Sequence, residues 1–379
     1  MTDAEDPRVL VCGGGPSGLL VAGTVAAAGI ATTVVEASAA PPAGLRASTL
    51  HARSMEVLDE LGVPGLGGLP RSSRGHYVGL PLDLGGAPSR WAGSWRCAQP
   101  DLVRRLTRWA LLRGVRLLRG ERVRSVVQRP THVIATTTEE RRLVGEVLVG
   151  ADGADSDVRA MAGIAVDGPD PRRCLVRADV LGGGLRPRRF ERIGDLTVTC
   201  APIAGRTSRV MVHDPSWPVG QEVGAGTLRA TWRAVTGEDL PSAIDWIDTF
   251  ADRTGVAERA TAGRVVLCGD AAHQFIPIGG VALNSAIIGA HAVAQRIIEF
   301  CRGDGDALGR YSLQSTGRAR ETAARLRNEA RLLFDVSAGT RAERAGIAAR
   351  LDDDERFHDQ VVRTIAGIES GTRGKAVPR

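Results

Sequence analysis

Lysine is almost missing from this 379-residue chain. Of 49 basic residues only Lys375 is a lysine, and the rest are arginines spread along the sequence. The formal net charge of +6 therefore does not read as the footprint of a nucleic-acid binder, which gathers its basic residues in one stripe. Together with the abundance of alanine and glycine, it reads as codon bias. Aromatic residues are scarce, at 4%. The six cysteines (Cys12, Cys97, Cys174, Cys200, Cys268 and Cys301) show no C-x-x-C spacing, which argues against a metal site or a disulfide framework and for small buried thiols. No uninterrupted apolar run reaches the roughly 18 residues of a membrane span. The first seven residues are acidic and lack a basic region with a cleavage site, so a signal peptide is not expected and the cytoplasm is the default location. What is present is the balance of a globular enzyme, 43% hydrophobic and 24% charged, at a length that suits two α/β lobes or one large one.

The chain opens as a β-α-β unit. Arg8–Cys12 is a short apolar run, followed by the cluster Gly13-Gly14-Gly15-Pro16-Ser17-Gly18. An alanine-rich stretch, Leu19–Ala28, ends at Gly29, a fitting helix C-cap, and Thr32–Val35 is a second strand ending at Glu36. In Gly13-x-Gly15-x-x-Gly18 the first glycine permits a tight turn. The second lets backbone approach a pyrophosphate, and the third lets the helix pack against the strand. The acid after the second strand accepts hydrogen bonds from a ribose. Two further glycine–acid motifs follow strands: Gly150-Ala151-Asp152-Gly153 and Gly269-Asp270-Ala271-Ala272-His273. Singly each is an ordinary turn, but their order and spacing give them weight.

Further along, apolar spacing predicts helices over His51–Leu61, Asp101–Leu112 and near Leu240–Phe250. Strands are expected at Arg116–Leu118, Val123–Gln128, His132–Thr137, Leu143–Val149 and Val265–Cys268, with mostly strands over Pro169–Trp246 and helix from Asn284 onward.

The three motifs resemble, in order, those of the FAD-dependent aromatic hydroxylases, the para-hydroxybenzoate hydroxylase-like flavoprotein monooxygenases, over Arg8 to about Phe334. Leu45–Asp59 is close to the family's usual segment after the second strand. Gly79–Asp83 and Trp232–Asp239 resemble a subgroup acting on polycyclic aromatic polyketides. That subgroup usually appends a thioredoxin-like C-terminal domain, for which this length leaves no room.

The resemblance implies an α/β fold: a Rossmann-like FAD-binding domain of the glutathione reductase type with an inserted α+β substrate domain and C-terminal helices. The implied division is 1–68, 96–168 and 262–300 for the FAD-binding domain, 69–95 and 169–261 for the substrate domain, and 301–379 for the helical region. Gly13, Gly15, Pro16, Ser17, Gly18 and Glu36 would hold the ADP half of FAD. Arg46 would lie near the pyrophosphate and flavin, Gln99 along the FAD chain, Asp152 in a motif serving FAD and NAD(P)H, and Asp270 on a ribityl hydroxyl. The loop of Pro277, Gly279, Gly280, Val281, Ala282, Leu283 and Asn284 would run beside the isoalloxazine ring. Arg46, Pro277, Gly279 and Asn284 are the catalytic candidates. The implied activity is hydroxylation of, or oxygen insertion into, an aromatic or polycyclic natural-product intermediate with NAD(P)H and O2, through a flavin C4a-hydroperoxide. The alternatives are a non-redox FAD-dependent cyclase or isomerase and a nucleotide-binding interaction protein. No nucleic acid, membrane or metal is expected as a partner, and the oligomeric state is open.

The sequence departs from the family pattern at three places. Ala37-Ser38 follows Glu36 where Arg or Lys is frequent. Ala282 stands where the family has glycine, so a positive φ there would be strained. Gly289 stands where an acid usually anchors the flavin loop. His273 reads as structural, and His51 and Arg53 as helix surface, with an approach of Arg53 to phosphate as the alternative. His76, Tyr77, Trp91, Trp95, His213 and Trp217 read as pocket wall or core, and the charged C-terminal helices as a solvated face.

Overall fold

The computed structural model describes residues 8–40, 49–241 and 243–368. Its centre is a six-stranded sheet ordered Thr261–Ala262, Val265–Leu267, Val147–Gly150, Val9–Cys12, Thr32–Glu36 and Arg116–Arg119. All neighbours pair in parallel except the short first strand. Val9–Cys12 is buried throughout, as a strand covered on both faces must be, which is why it reads as an apolar run without alternation.

Helix α1 (Pro16–Ala27) crosses over between the first two sequential strands. Helices α2 (Ala52–Glu60) and α3 (Gln99–Leu111) pack on the same side. Gly23 sets the approach of α1 and α3, because a Cβ there would lie 2.0 Å from the Trp109 ring. Trp109 is buried and donates from its indole to the Leu61 carbonyl at 3.0 Å. A three-stranded antiparallel sheet, Val123–Gln128, Val133–Thr137 and Arg142–Gly145, contributes to the core over the other face of the parallel sheet. The single strand expected over Leu143–Val149 is thus two, broken at Glu146, whose carboxylate receives the Arg8 guanidinium at 2.5 Å. The short helix α4 (Asp157–Met161) follows.

The second sheet is antiparallel, ordered Arg188–Ile193, Leu196–Ala204, Thr207–His213, Cys174–Leu181 and Ala243–Ala251. Its last strand overturns the helix expected near Leu240–Phe250. The apolar residues there sit at helical spacing, but the segment pairs along the length of Cys174–Leu181, with a register shift at Asp179/Val180. Tertiary pairing overrides the local period. The helix in this region is α5 (Ala225–Thr236), bounded by Gly224 and the left-handed Gly237, with Leu228 and Trp232 buried against the sheet.

Helix α6 spans Val281–Cys301 and begins three residues before Asn284. It is long and apolar enough to cross a membrane by length and composition, and here Ile287, Ala290, Val293, Ala294 and Ile297 are buried in the core against α1. Helix α7 (Ala307–Phe334) is more than a solvated face: Ala319, Ala323, Leu326, Ala330 and Leu333 are buried. Helices α8 (Ala338–Asp353) and α9 (Glu355–Ala366) complete the described chain. Trp95 and Trp217 are core residues, and Trp91 packs against the core.

Candidate functional site

Four segments meet at the carboxyl ends of the parallel strands, the place where open α/β sheets bind ligands. The first is the turn into α1. Gly13 has φ +106°, and a Cβ on it would lie 2.2 Å from the Ala151 carbonyl oxygen. A Cβ on Gly18 would lie 1.9 Å from the Gly13 carbonyl oxygen. Both positions therefore require glycine for close packing. Gly15 differs: its φ is −75° and a Cβ there would meet nothing within 4 Å. It is the N-cap of α1 and offers no side-chain cap to the first-turn amides, and Pro16 and Ser17 open the helix. Room above a bare helix N-terminus is an anion cradle, since the amides and the helix dipole both favour negative charge. Beside it, Glu36 accepts from the Gly14 amide at 2.5 Å and from the Ser38 amide at 2.7 Å.

The second segment follows Val147–Gly150. Asp152 accepts from the Ser156 hydroxyl at 2.5 Å and the Val158 amide at 3.0 Å, so its carboxylate shapes the turn into α4. The third is the 3-10 turn Gly269–Ala271, which carries Asp270 at the surface. Gln99 is the first residue of α3, two positions earlier than the expected helix start. Arg46 lies outside the described residues.

The fourth segment is the loop before α6. Gly279 and Gly280 have φ +61° and +74°, the conformation that glycine adopts without cost. Ala282 is already in the first turn of α6 and is not among the residues with positive φ, so the strain expected there is absent. Asn284 holds the loop: its Oδ1 accepts from the His51 amide at 2.7 Å, and its Nδ2 donates to the Gly280 carbonyl at 2.9 Å and the Thr49 carbonyl at 3.1 Å. Every polar atom of this buried side chain is spent on backbone, so Asn284 acts as a clamp between the loop and the strand Thr49–His51. Gly289, one and a half turns further along, faces open space and leaves the anchoring to Asn284. Gly289→Ala should therefore raise stability by about 0.5–1 kcal/mol, the usual gain for Gly to Ala in a helix without a clash, read as a higher urea midpoint. An unchanged or lower midpoint would mean that the backbone needs glycine there.

Between this loop and the second sheet lies a cavity of about 1040 Å³. Pro277, Gly280, Ala282 and Leu283 line it on the loop side, and Phe190, Met211 and Phe250 are among its apolar lining on the sheet side. Behind the loop is a smaller pocket of about 140 Å³, lined by His51, His76, Tyr77, Gly279 and Glu329 among others. Glu329 is buried, which raises its pKa, and it pairs with Arg325 at 2.7 Å. His51 is the N-cap residue of α2 rather than helix surface, and burial lowers its pKa to about 4. Arg53 pairs with Glu56 and Glu60. His273 is also buried, lowered to about 4 by burial, and stacks on Phe275 with ring centroids 4.5 Å apart, in keeping with a structural role.

Two imidazoles held neutral in the fold but with pKa about 6.5 when unfolded mean that the unfolded chain binds more protons. Stability is then complete above pH 6.5 and falls as the pH drops toward 4, by at most about 1.4 kcal/mol per pH unit for each histidine. Urea midpoints measured from pH 7 to pH 5 should show this fall, and His273→Gln should make it shallower while His51 still contributes. A flat wild-type profile would contradict the neutral, buried assignment.

Sequence reasoning missed the charge of the large cavity. Nine of its lining residues are arginines, against one carboxylate, Glu191. The run Arg186-Pro187-Arg188-Arg189-Phe190-Glu191-Arg192 was the available signal. It was hidden by the even spread of arginine elsewhere, and codon bias alone does not explain its placement.

The residues present fit FAD: a helix N-terminus with room above Gly15, an acid at the end of the second strand, and a positive-φ glycine loop beside a cavity. Comparison with known proteins agrees. A profile described as FAD binding domain matches residues 6–325. The dialkyldecalin synthase of Streptomyces rugosporus is 34% identical over 295 residues, 74% of this chain and 62% of the relative. The anhydrotetracycline monooxygenase of Streptomyces rimosus is 31% identical over 303 residues, 73% and 59% respectively. The chain thus spans about three fifths of the length of these curated relatives. Among solved structures, the Diels-Alderase PyrE3 of pyrroindomycin biosynthesis superposes with a TM-score of 0.87 at 29% identity, over 96% of this chain and 80% of that one. CabE, an aromatic hydroxylase from angucycline biosynthesis, does so at 0.87 and 27%, over 96% and 76%. The fold, the glycine cradle and the profile match converge on one conclusion: the chain belongs to the FAD binding domain family.

Proposed function

We propose that this chain is an FAD-dependent monooxygenase that uses NAD(P)H and O2 to oxidise an aromatic or polycyclic natural-product intermediate. The observations that carry this reading are the uncapped, unobstructed N-terminus of α1 above Gly15 and the cavity walled on one side by Pro277, Gly280, Ala282 and Leu283. Bound FAD supplies the chemistry, hydride acceptance from NAD(P)H and activation of O2. The chain's own residues bind, orient and exclude water. Amides of the first turn of α1 take the diphosphate above Gly15, and Glu36 takes the ribose. Gln99, Asp152 and Asp270 support the remainder of the cofactor, Asp152 by fixing the turn that faces it. Asn284 keeps the loop Gly279–Gly280 in register with Thr49–His51. The N-terminus of α6, capped by Gly280 without a side-chain acceptor, would offer its positive dipole to negative charge on a flavin bound beside the loop. In the corresponding division, 1–68, 96–168 and 262–300 carry the cofactor, 69–95 and 169–261 the substrate, and 301–379 form the C-terminal region, whose helix α8 adds Arg344 to the cavity wall. The site of action is the cytoplasm.

A second reading has a specific observation behind it. The synthase similarity at 34% identity and the structural likeness to PyrE3 favour a cyclase that keeps FAD without net redox. One experiment separates the two. Substrate-stimulated NAD(P)H consumption under O2, with product heavier by one oxygen, supports the monooxygenase. Conversion under nitrogen without NAD(P)H, with product of unchanged mass, overturns it.

A further inference from the structure

The large cavity has an unbalanced charge. Of its nine arginines, Arg177 pairs with Asp248 at 2.8 Å and Arg209 with Asp179 at 2.7 Å, while Arg188 is held between Glu191 at 2.8 Å and Glu238 at 2.9 Å. Glu191, the single carboxylate on the wall, is thereby spent. The other six arginines have no carboxylate within ion-pair distance among the described residues.

Four of these six, Arg74, Arg189, Arg192 and Arg344, share the cavity wall and act on one another electrostatically. Arg74 lies beside Arg189, which donates to the Gly75 carbonyl at 2.6 Å. His76, its ring 4.9 Å from Phe190, sits in the field of Arg189 and Arg344. Arg344, reaching in from α8, neighbours Arg192, which donates to the Leu332 carbonyl at 2.7 Å. Burial, reinforced by the neighbouring cations, lowers the pKa of Arg189 and Arg344, and burial does so for Arg192. Carbonyl acceptors satisfy some of the N–H groups, and the carboxylate that acts on the set, Asp335 near Arg192, makes no ion pair with it among the described residues.

Two residues of the same wall region carry unusual backbone. Val78 and Phe190 have φ +45° and +46°, which costs of order 1 kcal/mol or more for such residues. Val78 and Gly79 are the two central residues of the hairpin between Arg74–Tyr77 and Leu80–Asp83, both at positive φ, the pattern of a type I′ turn. A Cβ on Gly79 would lie 2.7 Å from the Arg344 guanidinium and 3.1 Å from the Phe190 Cβ. Glycine at the turn thus admits Arg344 and Phe190 side by side at the cavity wall.

We infer that the substrate carries a planar oxyanion, a carboxylate or an ionised phenol or enol on its ring system, held by Arg74, Arg189, Arg344 and Arg192 while its apolar body lies toward Pro277 and Leu283. Guanidinium groups are suited to such an anion because they donate in pairs to two oxygens. This rests on the proposed substrate cavity and deepens it by naming a chemical class. The same charge chemistry belongs to the phosphates of a nicotinamide dinucleotide, which the test separates.

The FAD-loaded protein is titrated by calorimetry with 1-hydroxy-2-naphthoate, with its methyl ester, and with 2′,5′-ADP as the phosphate source. The expected result is at least 10-fold tighter binding of the acid than of the ester, weakening with added KCl. In Arg344→Met and Arg189→Met the preference collapses toward equality while the ester binds as before. A melting curve matching wild type shows that each variant is folded, and Arg344→Lys retains part of the preference. Equal binding of acid and ester, or no binding of the acid, overturns the inference. So does competition by 2′,5′-ADP that is lost in the same two variants while the naphthoate is unaffected, which would assign the arginines to the dinucleotide. Because binding is read without turnover, an acid preference that stands in a protein inactive with NAD(P)H and O2 separates this inference from the monooxygenase reading.

Discussion

Gly15→Asp should give a folded protein, as stable as the parent or more so by a few tenths of a kcal/mol, that no longer holds FAD. The two effects have opposite sign and a single cause. Gly15 is the N-cap of α1, with φ −75° and nothing within 4 Å of the Cβ it would carry, so the backbone accepts an L-residue and no neighbour is displaced. Aspartate is a better N-cap than glycine by a few tenths of a kcal/mol, and its charge is favourable at the positive end of the helix. The same carboxylate occupies the amides and the space that the diphosphate needs, and repels it. A loss of at least about 100-fold in FAD affinity, about 2.7 kcal/mol, is expected in a fluorescence-quenching titration, with an unchanged or raised urea midpoint. Gly13→Ala is the contrasting control. Its φ of +106° and the 2.2 Å approach to Ala151 predict damage to the fold itself. If Gly15→Asp kept FAD affinity within threefold of wild type, the diphosphate would not lie above α1.

The second large effect is expected at Asn284. Asn284→Ala removes an acceptor from the His51 amide and a donor from two carbonyls, at Thr49 and Gly280. The Gly280 carbonyl keeps the bond from the backbone amide of residue 284 at 3.4 Å, while the His51 amide and the Thr49 carbonyl lose this partner at on the order of 1–3 kcal/mol each, so about 3 kcal/mol in total after partial relaxation. Asn284→Asp should be no better. One oxygen still accepts from His51, but the other replaces a donor and faces two carbonyl oxygens. Both variants should melt several degrees lower and lose FAD at higher concentrations than the parent. The ordering tests the role assigned here: were Asn284 a contact to the flavin alone, the apoprotein's melting would not change.

How far the sequence spoke for itself varied with the range of the interactions. The β-α-β unit was legible to within three residues (the helix starts at Pro16, not Leu19) because its signals are local: a buried strand without alternation, three glycines at fixed offsets, and an acid at the next strand's end. The same holds for Gly279 and Gly280, although Ala282 misled. A substitution inside a glycine motif suggested strain, whereas the helix begins at Val281 and takes Ala282 into its first turn. Ala243–Ala251 was misread because its apolar residues recur at helical spacing, and only pairing with Cys174–Leu181, some 70 residues earlier, makes it a strand. The sequence offered Asn284 as a catalytic and cofactor-binding candidate, but its role as a clamp was not legible, since both partners beyond its own turn lie more than 200 residues away. The arginine set is the extreme case. Its members come from two strands of the second sheet's neighbourhood and from α8, a helix whose charge pattern alone reads as a surface facing water.

The claim on which the rest depends is that this chain holds FAD in the cradle above α1. It is tested most directly by incubating the purified chain with FAD, removing free flavin by gel filtration, and measuring absorbance near 450 nm against protein concentration. The expected result is a yellow protein with close to one FAD per chain, and a colourless one for Gly15→Asp at the same elution volume. A folded wild-type chain that emerges colourless, or a Gly15→Asp variant that retains full flavin, would contradict it.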